Sequence, residues 1–229
     1  VDELLANGIQ PWVTLFHWDY PYDLYLRGGW LNPESPNWFA EYTAAVVDRL
    51  SDRVTHWMTL NEPQCFIGLG HLNGEHAPGD QLGLKEVLLA GHHSLIAHGL
   101  SVQTIRAQAK LPPNIGWAPV GAAYYPATDS SVDKAAAMKA MGQVDADSLW
   151  NNTWWGDPPV LGSYPEEGLR AYGQNVPKFT SSELETICQP PDFYGCNIYS
   201  GLPITADENG EPKVAPLPQG GPQTLFLWK

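Results

Sequence analysis

Short and long apolar segments alternate along the chain, and this alternation predicts the fold. The short segments have the length and β-branched content of buried strands, whereas the long ones repeat apolar residues at helical spacing. The predicted strands cover residues 10–16, the segment that ends at Asn61 and Glu62, 114–120 and 193–199. The predicted helices cover 37–50, 84–110, 131–150 and a short segment that begins at Ser181 with a capping pattern. Such alternation predicts a parallel sheet with helices outside it.

Two α/β architectures fit this order of elements: an open doubly wound sheet and a (β/α)8 TIM barrel. The absence of a glycine-rich phosphate loop after any predicted strand disfavours the nucleotide-binding sheet. A complete barrel takes roughly 250 residues and eight β/α units. This chain spends much of its length on loops rich in Pro and Gly, which cover residues 20–36, 63–80, 151–181 and 200–229. We therefore expect about four central units of a barrel.

The first residues read as the last turns of a helix with Gly8 at its C-cap. A chain that opens in this way and holds half a barrel is expected to be an interior piece of a larger protein. We therefore predict that residues 1–229 form a single partial barrel domain, truncated at both ends.

The most informative stretch is an apolar strand that ends in Asn61, Glu62 and Pro63. Pro63 stops the strand, so an amide and a carboxyl group lie at its carboxyl end, where catalytic groups of β/α barrels lie. A carboxyl group among apolar neighbours can act as a general acid near neutral pH. This pair of residues therefore predicts an active site.

Two other predicted strands also end in polar or aromatic side chains. His17 and Trp18 follow the first strand, and Asn197 and Tyr199 lie at the end of the fourth. Histidine and asparagine hydrogen-bond hydroxyl groups, tryptophan covers the apolar face of a sugar ring, and an acid protonates the leaving oxygen. Together with Glu62, these residues suit a pyranose.

Four sequence blocks then give the chain a family resemblance. The blocks are Phe-His-Trp-Asp at 16–19, Thr-Leu-Asn-Glu-Pro at 59–63, His-Ala-Pro-Gly at 76–79 and Tyr-Gly-Cys-Asn-Ile-Tyr at 194–199. In this order they resemble the family 1 glycoside hydrolases, the β-glucosidase family, over nearly the whole chain. The resemblance implies a retaining β-glycosidase that hydrolyses terminal β-linked glucose, with tolerance for galactose or fucose, by double displacement.

The resemblance also implies a role for each strand-end residue. Glu62 is similar to the family's general acid/base, and Asn61 to the residue that contacts the sugar's 2-hydroxyl. His17 and Trp18 match part of the glycone pocket. Asn197 and Tyr199 match positions that hydrogen-bond the nucleophilic carboxylate. The implied partner is a small-molecule β-glycoside, and no metal or organic cofactor is expected, because two carboxyl groups suffice for this chemistry.

The second carboxylate is expected to lie outside the chain. The family carries its nucleophile in a Thr-Glu-Asn-Gly motif, and Glu208 stands in a similar motif at 207–210. Glu208 follows Tyr199 by only nine residues, too few for a β/α crossover. The stretch before it does not read as an apolar strand, and Pro203, Gly210 and Pro212 indicate a surface turn. We therefore reject Glu208 as the nucleophile.

Some residues stay open at this stage. Gln64 stands where many family members carry a tryptophan that lines the leaving-group side, so the aglycone preference is undecided. Trp154 and Trp155 fit either that channel or a packed core. Three histidines of the 84–110 helix lack the spacing of a helical metal site and are expected to pack or lie on the surface. These are His92, His93 and His98.

Composition limits the partners and the compartment. The formal net charge of −13 argues against nucleic acid and against an anionic membrane, because both require a basic face. No apolar run is long enough to span a bilayer. Three cysteines, Cys65, Cys188 and Cys196, form no CxxC pair and fit free thiols in a reducing compartment. With no visible signal peptide, a cytoplasmic location is expected.

One alternative function belongs to another class of protein, a catalytically inactive sugar-binding protein on the same scaffold. A carboxylate at the end of a later apolar strand would favour the enzyme, and its absence would favour binding alone.

Overall fold

A computed structural model describes residues 1–217, and its strands form two sheets. The strands are β1 (Trp12–Phe16), β2 (His56–Asn61), β3 (Asn114–Ala118), β4 (Ala123–Pro126), β5 (Phe193–Tyr194), β6 (Gly201–Ala206) and β7 (Pro212–Val214). The first sheet has the order β1-β2-β3-β5, and all its pairs are parallel. The predicted α/β fold with four successive parallel strands is therefore confirmed.

Helices connect these strands. They are α1 (Asp2–Ala6), α2 (Tyr22–Leu26), α3 (Ser35–Leu50), α4 (Leu84–Gln108), α5 (Ser131–Gly142), α6 (Thr153–Leu161), α7 (Glu166–Tyr172) and α8 (Ser181–Ile187). A π-helix covers Gln64–Leu72, and short 3-10 turns cover Gly29–Leu31 and Gly173–Asn175. Within residues 1–217, no helix has both the length and the apolarity needed to cross a bilayer.

Several predicted loops contain regular structure. The loop predicted over 20–36 contains α2 and a 3-10 turn, and the loop over 63–80 contains the π-helix. The excursion over 151–181 contains α6 and α7. In the predicted tail, 200–217 contains β6 and β7, so the loop prediction is wrong there, while 218–229 lie outside the described residues. Pro203 and Pro212 suggested a loop because proline lacks a backbone donor, yet each lies within a short strand.

Two predicted elements are shorter than expected. The helix predicted over 131–150 ends at Gly142, because Gln143 adopts an extended backbone with φ −65° and ψ 141°. The strand predicted over 193–199 is regular only at Phe193–Tyr194, and one isolated parallel bridge joins Asn197 to Val120 beyond it. That bridge keeps the 193–199 segment beside the carboxyl end of β3.

A close approach of β3 and β5 sets the position of this segment. Gly116 of β3 pairs with Phe193 of β5. A Cβ atom at Gly116 would lie 2.4 Å from the backbone oxygen of Phe193, which is far inside van der Waals contact. Glycine therefore allows β5 to pack flat against β3 and carry the chain on to Asn197.

The core between sheet and helices contains the residues that the sequence left open. Trp154 and Trp155 are almost fully buried, which favours the packing alternative. The three histidines of α4 are also buried and hydrogen-bonded through Nδ1, His92 to Tyr164, His93 to the Trp30 carbonyl and His98 to Thr59. Burial lowers the pKa of His92 and of His98 to about 4, so both rings are neutral near pH 7.

The second sheet shares no strand with the first. It has the order β4-β6-β7, with β4 and β6 parallel and β6 and β7 antiparallel. Asp133 of α5 joins this sheet to its helix, because its Oδ1 accepts hydrogen bonds from the Thr205 hydroxyl and the Ala206 backbone, each at 2.9 Å.

Candidate active site

Backbone strain occurs at two of the residues that the sequence selected. Within residues 1–217, Trp18 and Glu62 are the only non-glycine residues with positive φ, at 76° and 48°. Glu62 directly follows β2, and Trp18 lies two residues after the end of β1. β2 also has a register irregularity between Met58 and Asn61. Such conformations cost on the order of 1–3 kcal/mol each and concentrate at functional sites. The strain therefore points to the carboxyl ends of β1 and β2 as the functional region.

The Glu62 side chain is buried, with 5% exposure, and held by donors from the far end of the chain. Asn197 Nδ2 donates to Glu62 Oε1 at 2.6 Å and lies 3.0 Å from Asn61 Oδ1. The Tyr199 hydroxyl donates to the same Glu62 oxygen at 3.3 Å. The structure thus brings together Asn61, Glu62, Asn197 and Tyr199. The resemblance implied that Asn197 and Tyr199 hydrogen-bond a nucleophilic carboxylate, whereas within residues 1–217 the carboxylate that they bind is Glu62.

Trp18 connects the end of β1 to this group. Its Nε1 donates to the Asn61 carbonyl at 3.1 Å. Its ring contacts two imidazoles: it stacks on His17 with 5.2 Å between the ring centroids, and it meets His76 edge-on, also at 5.2 Å. The indole is therefore fixed against the carboxyl end of β2.

A cavity of about 510 Å³ opens in front of Glu62. Trp18, Glu62 and Tyr199 form part of its lining, and Glu62 is the only carboxylate among the lining residues of the described chain. This volume suits a small ligand. His17 does not line this cavity. It is exposed and lines a neighbouring cavity of about 350 Å³ beside β1.

Cys65, which the sequence predicted only to be a free thiol, also lines this cavity. Burial, with a hydrogen bond to Glu62 as the next cause, raises the pKa of the Cys65 thiol well above its usual range. The thiol therefore stays protonated and supplies a donor to Glu62 instead of acting as a nucleophile. Cys65, Cys188 and Cys196 are all free.

Glu208 has none of these surroundings. A strand does precede it, contrary to the sequence prediction, but this strand is β6 of the second sheet. Glu208 lies in the exposed turn between the antiparallel strands β6 and β7. Asp207 Oδ1 closes that turn by accepting from the Asn209 and Glu211 backbones, each at 2.8 Å. The turn is thus a hairpin connection at the surface, where the prolines and Gly210 had indicated a surface turn.

Other lining residues were not selected from the sequence. His76 was visible in the His-Ala-Pro-Gly block, and Trp150 was read as the end of a helix. Gln64, at the position of the family's tryptophan, points away from this cavity. It is buried, and its Nε2 donates to the Asn151 carbonyl at 3.3 Å. Trp150 therefore lines the cavity and Gln64 does not. No sequence pattern indicates this, because it depends on a contact between distant segments of the chain.

Comparison with known proteins identifies the family and agrees with this fold. The family model described as Glycosyl hydrolase family 1 matches residues 1–220. The chain belongs to glycosyl hydrolase family 1. Within residues 1–217, no group of three or more His, Cys, Asp or Glu residues could hold a metal ion.

Individual family 1 relatives give the extent of the similarity. A 1,4-β-D-glucan glucohydrolase of Thermotoga neapolitana is 36% identical over 232 aligned positions, which cover 100% of this chain and 52% of the relative. β-Glucosidase A of Thermotoga maritima is 35% identical and is covered to 50%. The solved family 1 β-glucosidase of Thermotoga maritima in complex with isofagomine lactam superimposes with a TM-score of 0.81 at 32% identity, covering 100% of this chain and 49% of that one.

The chain therefore spans about half the length of the curated relatives it matches. Because the matched structures are family 1 TIM-barrel enzymes, the four parallel strands correspond to half of a (β/α)8 barrel, as the sequence predicted.

Proposed function

We propose that the protein containing this chain is a retaining β-glycosidase with Glu62 as its general acid/base. The observation that carries the proposal is the Glu62 carboxyl group itself, buried at the carboxyl end of β2, held in a strained backbone and open to a 510 Å³ cavity. Membership of family 1 supports the reaction class. The substrate is a terminal β-linked glucoside, with galactosides or fucosides as tolerated alternatives.

In the first step Glu62 donates its proton to the glycosidic oxygen, and the aglycone leaves as an alcohol. A carboxylate attacks the anomeric carbon at the same time and forms a glycosyl-enzyme ester. In the second step ionised Glu62 removes a proton from water, which attacks the anomeric carbon and releases the sugar with retained configuration. Asn197 and Tyr199 donate to the ionised form of Glu62, and this keeps the carboxylate oriented between the steps.

Retention requires a second carboxyl group about 5–5.5 Å from the first. The cavity lining within residues 1–217 contains no carboxylate other than Glu62. We therefore place the nucleophile on a segment outside this chain. The glycone-side roles of His17, Trp18 and Asn61 belong to the same proposal, with Trp18 covering a sugar face and Asn61 near the 2-hydroxyl.

The test uses Glu62→Ala in the natural protein, with 2,4-dinitrophenyl β-glucoside as substrate. This leaving group needs no proton, so the glycosyl-enzyme still forms and then accumulates, because water lacks its general base. Added azide should attack the anomeric carbon, displace the nucleophilic carboxylate and give β-glucosyl azide. Glu75→Ala, at an exposed glutamate, is the matched control and should behave as the unsubstituted protein.

Two outcomes would contradict the assignment. One is a Glu62→Ala protein whose turnover does not respond to azide. The other is an α-glucosyl azide product, which would make Glu62 the nucleophile. If the unsubstituted protein binds glucosides without hydrolysing them, the alternative of an inactive sugar-binding protein is favoured instead.

A further inference from the structure

We infer that the leaving-group side of this site selects an apolar, aromatic aglycone over a second sugar, and that Trp150 determines this preference. The inference deepens the proposed function and rests on it for the identity of the leaving group. It depends on three properties of the 510 Å³ cavity within residues 1–217: the rigid placement of Trp150, the mainly apolar opposite wall and a lining without Asn, Gln, Asp, Lys or Arg.

Trp150 is a large aromatic side chain that the structure keeps exposed inside the cavity. Its exposure is 46%, whereas its neighbours Leu149 and Asn151 are buried at 5% and 6%. The Trp155 Nε1 donates to the Leu149 carbonyl at 2.9 Å, and Gln64 holds the Asn151 carbonyl. The backbone is thus fixed on both sides of Trp150, so the indole is presented to a ligand with little ordering cost.

Gln64 explains why this role falls to Trp150. Its side chain lies under the 149–151 segment and not along the cavity, and only 2% of it is exposed. An aromatic ring at position 64 is therefore absent from the cavity wall, and the indole of Trp150 lies on the wall of the same cavity as Glu62.

The rest of the wall is mainly apolar. Leu69, Val120, Tyr124 and Leu202 line the cavity, together with small residues at 121–123. Among the lining residues in 1–217 there is no Asn, Gln, Asp, Lys or Arg. The hydrogen-bonding side chains of the lining are those of Trp18, Glu62, Cys65, His76, Tyr124, Trp150, Tyr199 and Ser200.

This distribution discriminates between aglycones. A second pyranose stacks on tryptophan as well as a phenyl ring does, but it also brings several hydroxyl groups that need partners. Burying a hydroxyl group without a partner costs about 1–3 kcal/mol in proteins. An aromatic or alkyl aglycone carries no such cost and buries its whole surface against Trp150 and the opposite wall.

The test compares the binding of two thioglycosides that resist hydrolysis, 2-phenylethyl 1-thio-β-glucoside and thiocellobiose, to the natural protein by calorimetry. We expect the phenylethyl compound to bind at least about tenfold tighter, since thiocellobiose loses hydrogen bonds to water. Trp150→Ala should weaken its binding about tenfold, and Trp150→Phe should restore most of that loss. Met138→Ala, at an exposed apolar residue outside the cavity, should change neither dissociation constant.

Three results would overturn the inference: thiocellobiose that binds as tightly, a ratio that Trp150→Ala leaves unchanged, or no binding of either compound. If Trp150→Ala does not fold, the ratio for the unsubstituted protein decides. Hydrolysis of the matching oxygen glycosides by the same preparation separates this inference from the proposed function, because a binding preference without hydrolysis contradicts only the latter.

Discussion

Two glutamates of this chain stand in motifs that look alike, yet their surroundings are opposite. Glu62 follows a buried parallel strand, has a left-handed backbone and accepts a hydrogen bond from Asn197, a residue 135 positions away in sequence. Glu208 lies in an exposed hairpin turn that is closed locally, because Asp207 Oδ1 accepts hydrogen bonds from the Asn209 and Glu211 backbones. The comparison teaches that a motif becomes a site only where distant parts of the chain converge on it.

The two regions, called here the β2 end (Asn61–Glu62) and the β6–β7 turn (207–211), should therefore respond differently to substitution. Changes that affect contacts between distant segments should damage the β2 end. Corresponding changes in the turn should have local effects only.

The largest effect on stability is expected from Gly116→Ala. The added Cβ meets the Phe193 backbone oxygen at 2.4 Å, and backbone cannot rotate away, so β5 must separate from β3. We expect a loss of about 3 kcal/mol in the free energy of unfolding, measured by urea denaturation of the natural protein. Gly210→Ala in the turn has nothing within 4 Å but a φ of +81°, and should cost only about 1 kcal/mol. Equal losses at the two glycines would contradict the comparison.

Asn197→Ala removes the 2.6 Å hydrogen bond to Glu62. A hydrogen bond to a charged group contributes about 2 kcal/mol, so kcat/KM on an aryl glucoside should fall roughly thirtyfold. Asn209→Ala, the matched change in the turn, should leave kcat/KM unaltered. A fall of similar size in both variants would mean that the effect is on folding and not on Glu62.

A buried histidine of α4 that contacts β2 predicts a pH dependence of stability. His98 binds Thr59 of β2 and has its pKa lowered from 6.5 to about 4 by burial. Between these values the unfolded chain takes up a proton that the folded protein does not. Stability is therefore complete above about pH 6.5 and falls as the pH falls toward 4. For this one histidine the loss between pH 7 and 5.5 is about 1 kcal/mol.

The measurement is the free energy of unfolding of the natural protein at both pH values, with and without His98→Asn. In His98→Asn, the free energy of unfolding should fall less between pH 7 and 5.5, by the amount that His98 contributes. His17→Asn, at an exposed histidine, serves as the control and should keep the slope of the unsubstituted protein. An unchanged slope in His98→Asn would contradict the assignment of the acid sensitivity to this ring.

The smallest effect is expected from Tyr199→Phe. The hydroxyl lies 3.3 Å from Glu62, the long end of hydrogen-bond distance, and Asn197 remains as a donor to the same oxygen. We expect kcat/KM to fall only two- to fivefold, on the order of 0.5–1 kcal/mol. A larger loss than for Asn197→Ala would reverse the order of the two donors that hold Glu62.

The sequence predicts the parts of the fold that follow local patterns. β1, β2, β3, α3 and α4 have the apolar spacing of their type, and Asn61-Glu62-Pro63 places the carboxyl group correctly at a strand end. Two of the predictions that fail concern segments whose helical structure is stabilised by contacts with distant parts of the chain. The π-helix at Gln64–Leu72 contains two glycines and was read as a loop, and Pro158 and Pro159 lie inside α6, where prolines usually stop a helix.

The site follows the same division. Residue types predict that His17, Trp18, Asn61, Glu62, Asn197 and Tyr199 lie at strand ends. Which of them touch is set by packing. Trp18, Glu62 and Tyr199 line the 510 Å³ cavity, whereas His17 lines a different one, and Asn61 and Asn197 are lining residues of neither. The role of Trp150 depends on Gln64 binding the carbonyl of the next residue, Asn151, which is a contact across 87 positions and has no sequence signature.

The most direct measurement compares Glu62→Gln and Glu208→Gln in the natural protein, with methyl β-glucoside as substrate, whose poor leaving group needs a proton. The account predicts that Glu62→Gln lowers kcat/KM about 10²–10⁴-fold, because general acid help is lost. Glu208→Gln should leave kcat/KM unaltered. Hydrolysis within a few-fold of normal in Glu62→Gln, or a large loss in Glu208→Gln, would contradict it.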